Sequence, residues 1–407
     1  MIGSISGQIK AKAARFDPSS YGRSDTSAVG RWFWEIDKVL LLLIATLIGI
    51  GLIAVAAASP AAGQRYSGGS VRFSELHYFY RQIAWIAIGL PVMIGISMMP
   101  RDRAKRVSLI GAAIFTVLLV FVPIVGPEVN GATRWIDIGI GQLQPSEFLK
   151  PFFVVAMAWL LSLREQDKSL PVFWISAGVT GVVAVLLMKQ PDFGSTIIFG
   201  CVWLAMLALA GVSMRILVGL GVAGLVGIVL AYFFYDVATA RIDGFLFGEG
   251  DNFQVENAMR TLTAGGMFGM GPGAGTRKFG LPEPHTDYIF SVIGEEFGLI
   301  ACLAIACLYL TIVARVLIKL LDEESTFAIL AAAGLTIQFG LQALINMAVN
   351  VQIAPSKGMT LPFISYGGSS MLALSIGMGL LLAFTRRNPY LSRSPYVVKW
   401  SGETVTA

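Results

Sequence analysis

From residue 39 onward the chain alternates long apolar blocks with short polar interruptions. The blocks fall at 39–59, 83–99, 107–126, 151–163, 171–188, 195–212, 216–235, 297–318, 327–349 and 369–384. A helix needs about 20 mostly apolar residues to cross a bilayer, whereas barrel strands show short alternating segments that are not found here. The pattern therefore predicts an all-α polytopic membrane protein with about ten transmembrane helices. Residues 1–37 carry no apolar period and are expected to form a disordered cytoplasmic tail. The predicted membrane domain covers 38–387, and 388–407 forms a second cytoplasmic tail. The first block is long and follows a long leader, so it reads as a retained span, not a cleaved signal.

Composition agrees. Hydrophobic residues make up 55% of the 407 and charged ones 14%, against roughly 25% charged in an average soluble domain. Cys201, Cys302 and Cys307 all lie in apolar blocks and read as small buried hydrophobes. The distribution of the basic residues sets orientation. Arg101, Arg103, Lys105 and Arg106 separate spans two and three, and Arg386, Arg387 and Arg393 follow the last span. The positive-inside rule puts these clusters and both termini in the cytoplasm. The outer connections are then 60–82, 127–150, 189–194, 236–296 and 350–368. They hold the residues with unusual chemistry.

The segment "NGATRWIDIGIGQLQPSEFLKP", 130–151, reads as an extended or re-entrant stretch feeding span four. Ser146 is a candidate N-cap. Glu147 and Lys150 share a helix face, either as an interfacial pair or as the lining of a polar cavity. Arg134, beside Trp135, has the same two readings. In "KQPDFGST", 189–196, Asp192 precedes a helix start, where Asp is commonly a cap.

The connection 236–286 is too long for a plain linker. Its glycines and its basic residues Arg260, Arg277 and Lys278 suit an anion held by backbone N–H groups and cations. No strand precedes the glycines, so they match no nucleotide fingerprint, and no nucleic-acid partner is expected. "APSKGMTLPFISYGGSS", 354–370, reads as a tight helix-entry turn that leaves Lys357 unexplained.

The stretch "EPHTDYIFSVIGEEFGLI", 283–300, puts four acids at the mouth of an apolar block. Measured from that block, Glu295 and Glu296 fall near the outer interface with a structural role. Asp287 stands about 12 Å further out if the helix extends back to Thr286. On such a helix Asp287 and Glu296 point about 180° apart, so the two do not share a site. Spacing alone leaves Asp287 as either an N-terminal helix acid or a general base.

Together "TRWIDIGIGQLQPSEFLKP", "QPDFGST", "LPEPHTDYIFSVIGEEFG" and "KGMTLPFISYGGSS", in this order and spacing, resemble the SEDS family (shape, elongation, division and sporulation) of membrane glycosyltransferases. The last motif is more similar to the division branch than to the elongation branch. One departure is Ala238, where that branch often carries an Arg besides the one kept at Arg241.

The resemblance implies a peptidoglycan glycosyltransferase in the cytoplasmic membrane, at the division septum, that polymerises lipid II at the outer face. It implies Asp287 as catalytic base. Glu147, Lys150, Asp192, Arg134, Arg260, Glu283, His285, Lys357 and Ser365 are the expected substrate-binding residues. The leaving pyrophosphate needs positive charge, from Lys150, Arg260, Lys357 or a divalent cation (Mg or Mn). A class B penicillin-binding protein transpeptidase and other division proteins are the implied partners. A lipid II flippase and a non-catalytic division scaffold are the alternative readings.

Overall fold

The structure, a computed structural model, describes residues 28–67, 72–128, 132–137, 139, 141–247, 252–355 and 358–386. Helix α1 (Ala28–Glu35) falls inside the stretch expected to be disordered and belongs to a unit separate from the membrane domain. Residues 1–27 and 388–407 of the two predicted tails lie outside the described residues.

The membrane domain runs α2 (Lys38–Tyr66), α3 (His77–Ser97), α4 (Arg101–Val125), β1 (Ile136–Asp137), β2 (Gln142–Leu143), α5 (Pro145–Gln166), α6 (Val172–Met188), α7 (Phe193–Leu209) and α8 (Met214–Phe234). It continues with α9 (Asp236–Leu246), α10 (Asn252–Ala264), a 3-10 turn (Arg277–Gly280), α11 (Ile289–Leu320), α12 (Thr326–Asn350) and α13 (Gly368–Thr385). Among the described residues eight helices are long and apolar enough to cross a membrane, and α6 and α7 are shorter apolar helices.

Local chemistry sets several helix starts. The Asp37 carboxylate accepts from the backbone N–H groups of Val39 and Leu40 at 3.1 and 3.0 Å, which caps α2. Pro145 opens α5, where its missing N–H is no loss, so Gln144 is the cap and Ser146 lies inside the first turn. The stretch expected to be extended is a short antiparallel hairpin, with Ile136 opposite Leu143. Ser369 Oγ donates to Gln142 O at 2.6 Å and accepts from Gln144 N at 3.3 Å, which ties the hairpin to α13.

Helices α5, α12 and α13 form the most buried part of the bundle, and α5 packs against both of the others. By contrast α8 has no buried residue; its apolar surface on every side suits lipid.

The apolar block placed at 297–318 begins earlier, at Ile289, and breaks at Gly298, whose φ is +82°. The depth read from the block put Glu295 and Glu296 at the lipid interface, and the structure corrects this. Both side chains are buried under the loop that follows α10. Glu295 accepts from the N–H groups of Arg277 (2.6 Å) and Lys278 (3.0 Å). Glu296 pairs with the Lys278 ammonium and accepts from Gly273 N at 3.0 Å. The loop also satisfies the backbone at the break, since Met270 N donates to Glu295 O and Leu299 N to Gly266 O. This contact demands glycine at 269, where φ is +84° and a Cβ would run into the Glu296 carbonyl.

Candidate active site

Asp287 lies just before α11, not within it: Tyr288 is the helix cap. The segment is held by its backbone, through three successive carbonyls. His285 O accepts from Tyr366 N at 2.8 Å. Thr286 O accepts from Ser365 Oγ at 2.6 Å. Asp287 O accepts from Asn346 Nδ2 at 2.9 Å and Asn350 Nδ2 at 3.1 Å. The Asp287 carboxylate, by contrast, makes no hydrogen bond among the described residues, and the residue as a whole is half-buried. Gly358, with φ +63°, lets the facing loop come close; a Cβ there would stand 3.5 Å from Asp287 Oδ2.

Desolvation by the surrounding protein is the main reason the Asp287 carboxyl is pushed up to about 7. The negative charges of Glu283 and Glu147 push the same way, and the guanidinium groups of Arg134 and Arg241 oppose them. A carboxylate titrating near neutrality is suited to taking and releasing a proton. Its free oxygens leave it able to do so.

The expected residues divide by location. Glu283, Arg134 and Glu147 stand near enough for their charges to bear on Asp287, and Asp192 lies within range of Arg241. Asp192 caps α7 by accepting from Ser195 N at 3.2 Å, while its buried Oδ2 finds no partner among the described residues. Arg134 is aimed at the same turn, donating to the carbonyls of Gln190 (3.4 Å) and Pro191.

Lys150 is buried and paired with Glu147 at 2.6 Å, so its charge is already engaged. Glu147 of that pair lines a small, partly open cleft between α5, α12 and α13, which Gln338 and Gln342 also line. Ser365 is committed to holding the loop, because its Oγ also accepts from Leu361 N at 2.7 Å. His285 is buried among the rings of Tyr66, Tyr78 and Tyr366. Burial pushes its imidazole down to about 4, so it is neutral at pH 7. Glu283 is held by Tyr66 Oη and by Thr286 Oγ1 (2.9 Å).

Arg260 stands apart, exposed on α10 and paired with Glu256 at 2.5 Å. Lys357 lies outside the described residues.

Three contributors escaped the sequence reading. Arg241 was noted only as a motif survivor, yet its charge reaches Asp287 and its buried Nη1 has no partner among the described residues. Buried unsatisfied polar atoms are scarce in folded proteins and ask for a reason such as a ligand. Asn346 and Asn350 sat inside a block read as a plain span. The signal that could have found them is two amides one helical turn apart in a membrane helix, where polar groups are costly.

The model of the cell cycle protein family that groups FtsW, RodA and SpoVE matches residues 38–390. The chain is 37% identical over 373 residues to the probable peptidoglycan glycosyltransferase FtsW of Caulobacter vibrioides, covering 91% of this chain and 94% of that one. It is 35% identical to the FtsW of the same description from Alkalilimnicola ehrlichii, covering 88% and 92%. Among solved structures it is similar to a chain of a peptidoglycan synthase complex that coordinates polymerization and crosslinking, with a TM-score of 0.71, 26% identity and coverage of 86% and 97%. It is also similar to the rod shape determining protein RodA of Thermus thermophilus, with a TM-score of 0.63, 26% identity and coverage of 86% and 96%. With four motifs in order, a helical membrane bundle and a family match across nearly the whole membrane domain, the chain belongs to the FtsW, RodA and SpoVE family, the SEDS family.

Proposed function

We propose that this protein is a peptidoglycan glycosyltransferase that polymerises lipid II at the outer face of the cytoplasmic membrane during septal wall synthesis. The observation that carries the reading is Asp287: a carboxylate outside the spans, free of hydrogen bonds among the described residues, titrating near neutrality and faced by two arginines.

In this reading an acceptor sugar 4-hydroxyl attacks the anomeric carbon of the donor. Asp287 takes the hydroxyl proton as the new C–O bond forms. The bond from the anomeric carbon to the lipid pyrophosphate breaks, its electron pair leaves with the phosphate oxygen, and configuration inverts. Pyrophosphate departs readily without a protonating acid, so the paired carboxyls of glycosidases are not needed. Arg134 and Arg241 are the cations placed to meet the developing charge, in place of Lys150 and Arg260, which are paired elsewhere. Among the described residues no three His, Cys, Asp or Glu side chains come together to hold a metal. A divalent cation (Mg or Mn), in this reading, would be shared between one or two carboxylates and the substrate's own pyrophosphate.

The similarity to a chain of a peptidoglycan synthase complex supports a class B penicillin-binding protein as the crosslinking partner. Purified protein with that partner and lipid II in liposomes is expected to yield glycan strands, and fluorescent fusions are expected to gather at midcell. Lipid translocation without polymer would favour a flippase, the reading that the charges of Glu147, Lys150 and Asp192 beside the spans suggest.

Arg241→Gln is expected to reduce kcat roughly 100- to 1000-fold, the range for losing one donor to a developing charge. It also removes a charge that holds the Asp287 carboxyl down. The acid limb of the pH profile should therefore move to higher pH. A limb that stays in place would remove Arg241 from the site.

A further inference from the structure

Had α11 continued one turn further back, Asp287 O would accept from Ser291 N, the ordinary i to i+4 bond. That bond is replaced. Asn350 Nδ2 donates to Asp287 O at 3.1 Å, and Asn350 Oδ1 accepts from Ser291 N at 3.1 Å and from Ser291 Oγ at 2.7 Å. One side-chain amide thus meets both ends of the missing helical bond, while Ser291 N also donates to Tyr288 O at 3.1 Å. Asn346, one turn earlier on α12, gives Asp287 O its second donor and also donates to Met359 O at 2.5 Å. Met359 follows Gly358, the residue whose backbone faces the Asp287 carboxylate. Asn346 and Asn350 are 2% and 0% exposed, so water offers their partners no substitute.

We propose that Asn350, assisted by Asn346, is a positioning residue that wedges Asp287 out of the first turn of α11 and fixes the direction of its carboxylate relative to α12 and the Gly358 loop. The inference rests on the reading of Asp287 as the base. A helical Asp287 would turn its side chain with the helix, by 100° per residue, so its aim would follow α11. With the amide inserted, the aim follows α12, which holds the Asp287 carbonyl, and the loop whose Gly358 faces the carboxylate.

The test is lipid II polymerisation by reconstituted Asn350→Leu, Asn350→Asp, Asp287→Asn and the Asn350→Leu/Asp287→Asn double variant, each with its thermal midpoint. Asn350→Leu is expected to lower kcat by about 100-fold, the cost of a misplaced catalytic group, with KM within about twofold. Its residual activity should keep the acid limb near pH 7, because Asp287 remains the base. In the Asp287→Asn background the Leu substitution should cost nothing more, since the group it positions is gone.

Asn350→Asp keeps the acceptor for Ser291 but loses the donor to Asp287 O, and should lose less than Asn350→Leu. It carries the same comparisons if the Leu variant does not fold. Wild-type kcat in a folded Asn350 variant, or losses that multiply in the double variant, would overturn the wedge while leaving the base assignment standing. Wild-type activity in Asp287→Asn would instead sink the base assignment.

Discussion

Replacing Asp287 with Asn is expected to lower lipid II polymerisation by roughly 100- to 10,000-fold, the contribution of a positioned general base. The amide keeps the size of the side chain but cannot take the acceptor's proton. Glu283 is a poor substitute, since Tyr66 and Thr286 occupy its oxygens. Glu147 is engaged with Lys150.

In the unaltered protein the rate should rise with pH and level off above about 7, where the Asp287 carboxyl is ionised. Glu283→Gln removes a charge that raises that carboxyl, so its acid limb should shift to lower pH, opposite to Arg241→Gln. Stability should move the other way from activity. The folded protein raises the Asp287 carboxyl above its usual value. Its contribution to stability is therefore greatest below pH 3.8 and declines as pH climbs toward 7. Asp287→Asn should accordingly melt no lower than wild type at pH 7.5. A variant that polymerises at the wild-type rate, or one that is inactive only because it unfolds, would refute the assignment.

Lys278→Met is expected to destabilise the folded protein by about 3–5 kcal/mol, the cost of leaving a buried charge without its partner. The Lys278 and Glu296 side chains are 1% and 0% exposed, and Lys278 Nζ also donates to Ala57 O at 2.8 Å. The substitution strands Glu296 beneath the loop and frees that loop from α2 and α11 together. A large fall in the thermal midpoint, with loop amides near Gly273 exchanging faster, is the outcome that supports this. Adding Glu296→Gln should recover part of the loss, because the neutral amide still accepts from Gly273 N. An unchanged midpoint in Lys278→Met would show that the pair carries no such weight.

The helical membrane class, the approximate place of the spans and the candidacy of Asp287 were all legible in the chain. Covalent order decides them. An apolar block of bilayer length must bury its backbone polar groups in a helix whatever surrounds it, and motifs such as "HTD" and "QPSEFLK" are contiguous. The extended character of the stretch before α5 was likewise visible in its alternating residues, but its folding into a hairpin was not.

Other features depend on which elements meet. Glu295 and Glu296 read as interfacial because their depth was counted along one apolar block. Their burial comes from a loop some twenty residues earlier that folds back over the break at Gly298. Arg241 and Asn350 are 46 and 63 positions from Asp287 in sequence, and only the packing of α9 and α12 around the segment before α11 brings their groups to it. Lys150 and Arg260 were among the expected sources of positive charge, whereas Arg134 was expected only as a substrate-binding residue. Partners chosen by tertiary packing set them apart, since Coulomb energy depends on distance and desolvation, neither of which is written in the order of residues. By itself the sequence determined that a carboxylate would stand at the mouth of a membrane helix. Only the tertiary structure decided which charges tune it and which amides aim it.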